Sequence, residues 1–307
     1  MRAPRFPTRA FGLLLGAACL VPAPAAEAQQ VIMLGEYGLM GAELGPPGVY
    51  VGAFGYNLST DRLKTPGGST ISGPRLDQWV FGPLVEVVTP FKFLGANYAA
   101  AVAAPWANIR SEAPRLGVDR STGTSFSQLY VVPAILGWQL SRAEVAFHYA
   151  FYAPTGKYTA GATDNTGLGM WVNEISVRGT YFLDASESWH ASLSAFYDIN
   201  GKKEGTDWTQ GNPLTLMGGV GRNYGKGTWR GWAGLVGYAQ WQVTSTKGAD
   251  VPGPVANNKS RVYALGPEFT TLQGAFTLRY EFQFGGEWVA EGNTFYGQFA
   301  VPVKLFK

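Results

Sequence analysis

The 307 residues contain two imidazoles, His148 and His190, about forty positions apart. Each sits in a stretch where polar residues occupy alternate positions, His148 with Glu144 and His190 with Ser192. A serine–histidine hydrolase needs a hydroxyl, an imidazole and an orienting partner in mutual contact. Serine-rich strands supply such neighbours by composition alone, so no residue is assigned a catalytic role and no enzyme is expected. Two separated histidines make no zinc site, and no glycine loop of the phosphate-cradling kind is present. No metal or cofactor is therefore expected. The charges say more. Glu174 and Arg178 lie four apart, and Arg279 and Glu281 two apart. On an extended chain even spacing puts both members of a pair on one face. They either pair with one another and fill an interior, or leave Arg178 and Arg279 to offer fixed positive charge to a carboxylate. Glu144 and His148 belong on the same face, and the rings of Tyr158, Trp208 and Tyr238 suit stacking on an aromatic solute. These nine residues form the candidate substrate path.

The elements that must position them have period two. Phe276, Leu278, Tyr280, Phe282 and Phe284 alternate with Thr277, Arg279, Glu281 and Gln283. Val145, Phe147, Tyr149 and Phe151 do so with Glu144, Ala146 and His148. The same holds for Trp171, Ile175, Val177 and Tyr181 against Glu174, Ser176, Arg178 and Thr180, and for Trp189, Leu193 and Tyr197 against His190, Ser192, Ser194 and Asp198. Each is a strand with one greasy and one polar face. Between Tyr130 and Leu136 both faces are apolar and the facing stays open.

Composition decides which face meets what. Only 15% of residues are charged while 46% are hydrophobic and 14% aromatic, which excludes a disordered chain. Beyond the first thirty positions no apolar run approaches the length of about 20 residues that a membrane helix needs, and mean hydropathy is -0.03. Helical transporters are excluded. A secreted soluble β-protein would turn its polar faces outward and stud them with lysine, whereas here those faces hold Ser, Thr, Gln and Gly. A membrane barrel is the better fit. In hydrocarbon every backbone group must be paired, so the sheet has to close. Tight connections near Pro90, Ser141, residues 184–188, 225–227 and Thr271 alternate with longer stretches at 59–75, 105–124, 155–167, 201–212 and 246–258, and with a short one near 286–292. This predicts an all-β, transmembrane, antiparallel up-and-down barrel of about twelve strands with both termini at the short-turn end. Trp79, Trp106, Trp171, Trp189, Trp229 and Trp288 would form its interfacial girdles. Phe299, Val301, Val303 and Leu305 alternate as a last lipid-facing strand, although Lys307 follows Phe306 at the end.

Arg2, Arg5 and Arg9, the apolar stretch from Phe11 to Val21 and the small residues Ala26 and Ala28 have the order of a secretory signal peptide spanning 1–28. Its removal would take away the one cysteine, Cys19, and most of the formal charge of +3, so nucleic-acid binding has no support. Residues 29–47, with Gly35, Gly38, Gly41 and Gly45, either plug the lumen or merely lead into the barrel, which spans 48–307.

Several motifs then converge. The run Ala153-Pro154-Thr155-Gly156-Lys157-Tyr158, followed by Asn165, Gly167, Gly169 and Trp171, resembles the signature of the phenol-degradation meta-pathway outer-membrane proteins. Pro46-Pro47-Gly48-Val49-Tyr50, Gly95-Ala96-Asn97-Tyr98, Leu136-Gly137-Trp138 and Gly266-Pro267-Glu268 extend the likeness over nearly the whole chain after residue 28. The resemblance implies a β-barrel in the outer membrane of a Gram-negative bacterium, in a group linked to uptake of aromatic acids and other hydrophobic compounds. It implies no functional residues. The expected function is passive uptake of small aromatic or hydrophobic solutes, with membrane lipid and the barrel-assembly machinery as partners. The alternatives are a non-transporting structural barrel and a barrel-embedded hydrolase.

Overall fold

The computed structural model describes residues 38–114 and 117–306, so the expected signal peptide and the first part of the 29–47 segment lie outside the described residues. Strand β1 (Gly48–Lys64) pairs with both β2 (Thr70–Phe93) and β15 (Val289–Leu305), and this double pairing closes the sheet. β3 (Ala96–Ala103) and β4 (Trp106–Ala113) both pair with β2 and form one stave broken at Ala104 and Pro105. β5 (Val118–Ser121) and β6 (Ser125–Phe126) pair with β4, and β7 (Leu129–Gln139) pairs with β3, giving a second broken stave beside the first. From there β8 (Ala143–Ala153), β9 (Val172–Phe182), β10 (Trp189–Asn200), β11 (Pro213–Tyr224), β12 (Gly231–Gln242), β13 (Arg261–Thr271) and β14 (Phe276–Glu287) follow in sequence order to β15. The result is a closed antiparallel barrel of 12 strands.

The alternation points outward as its polarity requires. Ile175, Val177 and Tyr181 on β9, Leu193 on β10, Leu235 on β12 and Phe282 on β14 are exposed, while Glu174, Ser176, Arg178, Thr180, His190, Ser194, Glu281 and Gln283 are buried inside. Trp79, Trp106 and Trp171 stand exposed toward one end and Trp189 and Trp229 toward the other; Trp288 is half-buried in the β14–β15 turn. On β7 the apolar stretch faces inward at Tyr130 and Val132 and again at Ile135, because a bulge beside Pro133 shifts the phase by one residue.

Three connections differ from expectation. The tight turn lies at Leu94 and Gly95, both in the left-handed region (φ 51 and 79), and Pro90 sits within β2 at an irregularity that spares its missing N–H. Residues 59–75 and 105–124 are mostly paired strand rather than loop. Their polar composition reads as loop, but β1, β2, β4 and β5 carry it as sheet continuing past the lipid-facing aromatics.

Candidate functional site

The lumen has two kinds of surface. Phe54, Tyr56 and Leu58 of β1, Val80 and Val88 of β2, and Val132 and Ile135 of β7 form an apolar cluster that runs on through Ala150 and Tyr152 of β8 to Val172 of β9. Among them, β8, β9 and β10 turn polar rows inward. Register sets His148 opposite Ser176, Glu174 opposite Asp198 and Arg178 opposite Ser194. Tyr130 Oη donates to Glu174 Oε1 at 3.4 Å, and His148 Nδ1 lies 3.9 Å from the same oxygen. The structure thus brings together Glu174, His148 and Arg178. Arg178 is also within electrostatic reach of Glu86, which faces inward from β2. Ser176 Oγ, opposite His148 in register, makes no hydrogen bond.

Across the barrel, Arg279 is paired differently from the expected partner. Its Nε and Nη2 donate to Glu268 Oε2 at 2.9 and 2.7 Å, and its guanidinium lies 5.3 Å from the centre of the Tyr296 ring. Glu268 stands directly opposite Arg279 in register. Side chains directly across an antiparallel pair are about 5 Å apart at Cβ, against roughly 7 Å along one strand, which is why Glu281 loses this competition. Trp232 Nε1 donates to the other oxygen of Glu268 at 3.0 Å. Glu281 instead accepts from Thr294 Oγ1 at 3.2 Å, and Tyr238 Oη accepts from Gln283 Nε2 at 2.7 Å.

The chain before β1 enters this space. Leu39, Met40 and Ala42 are buried, and Leu39 packs with Phe196, Met217, Val236 and Tyr238. Its backbone N–H donates to Glu268 Oε2 at 3.2 Å. Glycines make the notches: a Cβ on Gly221 or Gly234 would come within 2.7 or 2.8 Å of Leu39 Cδ1, and one on Gly137 within 2.6 Å of Leu44 Cδ1. Glu43 lies near Glu144 and Arg230, so Glu144 sits at the short-turn end of the lumen.

Tyr158 and Trp208 occupy the loop layer rather than the lumen between the staves. Trp208 is buried under the Lys203 ammonium, 5.1 Å from its ring, and Tyr158 lies on Gly169, where a Cβ would meet its ring at 2.3 Å. Glu204 N–H donates to Gly169 O at 2.7 Å, Thr209 N–H to Lys247 O at 2.7 Å, and Ala249 N–H to Asp207 Oδ2 at 2.8 Å, tying three loops into one layer. In that layer the Lys202 ammonium beside Asp207 holds its carboxyl below the usual range.

The Pro154-Thr155-Gly156 element has a distinct task. Lys157 N–H donates to Phe126 O at 3.1 Å, Ser127 Oγ to Thr166 O at 2.8 Å, Thr166 Oγ1 to Phe126 O at 3.0 Å and Leu168 N–H to Gln128 Oε1 at 3.0 Å. The loop is therefore tied to the break between β6 and β7 through the backbone carbonyl of Phe126 and the side chains of Ser127 and Gln128. Gly156 is required there, since a Cβ would lie 1.2 Å from Ser127 O.

Sequence reasoning missed Glu86 and Glu268. Glu86 stands in an apolar run, Val85 to Val88, that shows no alternation. Glu268 shows its role only through its register with Arg279. Among the described residues no group of three or more His, Cys, Asp or Glu is placed to hold a metal ion.

The fold is similar to the crystal structure of the COG4313 outer membrane channel from Pseudomonas putida F1, with a TM-score of 0.65 and 13% identity over 88% of this chain and 98% of that one. Lower similarity, TM-score 0.49 and 12% identity over 84% of this chain and all of the other, links it to the β domain of the Bordetella autotransporter BrkA. No curated protein matches the sequence. Residues 60–299 match the family described as "Putative MetA-pathway of phenol degradation", and the chain belongs to that family.

Proposed function

We propose that the protein is an outer-membrane channel for passive uptake of small hydrophobic solutes, aromatic compounds among them, and is not an enzyme. The observation that carries this is the mixed lumen inside a lipid-facing exterior: apolar Phe54, Leu58, Val80 and Val132 together with polar Glu174, Ser176 and Arg178. An apolar body can lie along the first set while a polar end meets the second. The substrate path runs from the loop layer of Tyr158 and Trp208, past Tyr238, Glu281 and Arg279 and past Glu174, Arg178 and His148, to Glu144. Residues 38–44 act as its plug, seated in the glycine notches.

Glu174, His148 and His190 are almost wholly inaccessible with that segment in place, so passage requires it to move. In planar bilayers, deleting residues 31–43 should enlarge the current steps over those of the full chain. Silence from both proteins would overturn the channel reading. That same near-complete burial favours, as a second reading, a barrel filled by its own side chains.

A further inference from the structure

We propose that the lumen selects cations over anions, and that the solute carried by the proposed channel presents its polar end as an amine rather than a carboxylate. The inference rests on the passage reading. Carboxylates enter the lumen from three parts of the wall: Glu86 on β2, Glu174 and Asp198 on the neighbouring β9 and β10, and Glu268 and Glu281 on the neighbouring β13 and β14. On these five staves the inward-facing cations are Arg178 and Arg279, and Arg279 gives two hydrogen bonds to Glu268. Rings of acidic side chains are how pores favour cations.

A second observation points to the ligand itself. Glu174 and Glu281 are 0% and 1% exposed, yet Glu174 Oε2 and Glu281 Oε1 accept no hydrogen bond. The other oxygen of each is held, by Tyr130 and by Thr294, which fixes the carboxylates facing inward. Buried acceptors left unmet are costly. An ammonium brings three donors and no acceptor, whereas a carboxylate brings acceptors alone. Tyr56, Leu58, Val80 and Val132 also line the lumen and suit the apolar body of such an amine. Arg178, by contrast, stands close to Glu86 and Glu174, so its charge is already faced by two carboxylates.

The test is the reversal potential in a KCl gradient, with block of the current by phenylbutylamine and by phenylbutyrate. The full chain should pass K+ in preference to Cl- and be blocked at lower concentration by the amine. Glu174→Gln and Glu281→Gln, each removing charge with little change of shape, should shift the reversal potential toward zero, and the double variant furthest. Current with Cl- preference, equal block by the two probes, or no shift in the double variant would overturn the inference and leave the channel standing. A silent bilayer would instead overturn passage. In that case binding of the two probes to the barrel in lipid nanodiscs decides: tighter binding of the amine sustains the selectivity, and equal or weaker binding overturns it.

Discussion

Two halves of the barrel wall solve the same physical problem differently. From β8 to β14 each stave is one strand of 11 or 12 residues, hydrogen-bonded to its sequence neighbours. Around β3 to β7 the staves are broken, and a loop from elsewhere in the chain completes them through Lys157, Thr166, Leu168 and the side chains of Ser127 and Gln128. In the regular half the sheet satisfies its own backbone and the interior charges set the cost of change. In the broken half the wall depends on a loop held by a few hydrogen bonds and one obligatory glycine. A membrane wall can therefore be built from imperfect strands, provided that something supplies the missing partners.

The largest expected effect tests the regular half. Glu268→Ala leaves the Arg279 guanidinium buried without its carboxylate and should cost about 3–5 kcal/mol, read as a lower urea midpoint. Leu193→Arg, on the lipid face of β10, should cost about 2–4 kcal/mol if that position lies near the bilayer midplane, read as the folded fraction in vesicles. The broken half answers to Gly156→Ala: overpacking against Ser127 O should cost about 1–3 kcal/mol. Amide exchange should then quicken in β6 and β7 and stay unchanged in β10 to β13. Equal loss of protection in both halves would break the comparison. The smallest effect lies at the β9–β10 turn, where Asp184 accepts from the Ser186 hydroxyl, from Trp189 N–H at 2.7 Å and from Ser188 N–H at 3.1 Å. These bonds hold its carboxyl below the ordinary Asp value of about 3.9. Because the folded value is the lower one, the stabilisation is complete above about pH 4 and fades as pH falls below that. Asp184→Asn should flatten this acid dependence by lowering the melting temperature slightly in the neutral range, with little change at acid pH.

What could be read from the residues follows the same division. β8, β9, β10 and β14 announce themselves because one face meets hydrocarbon and the other polar groups, so His148, Glu174, Arg178, Arg279 and Glu281 all point inward as their spacing requires. The broken staves are silent, since a gap at Ala104 and Pro105 or at Ser127 and Gln128 has no periodicity and its sealing loop lies far along the chain. Glu86 is hidden because both faces of β2 are apolar around it. The pairing of Arg279 with Glu268 depends on register, which one strand does not encode. The placing of Leu39 depends on missing side chains at Gly221 and Gly234.

The facing of adjacent residues on one strand is the most direct test. In a Cys19→Ser background, nitroxide labels would be attached at Leu193→Cys and Ser194→Cys in vesicles, and their collision rates with dissolved oxygen and a water-soluble nickel chelate compared. A lipid-facing residue 193 predicts high oxygen and low nickel exposure there, and much lower oxygen exposure at 194. The reverse order, or equal oxygen exposure at both positions, would contradict a barrel with a greasy exterior and a polar lumen.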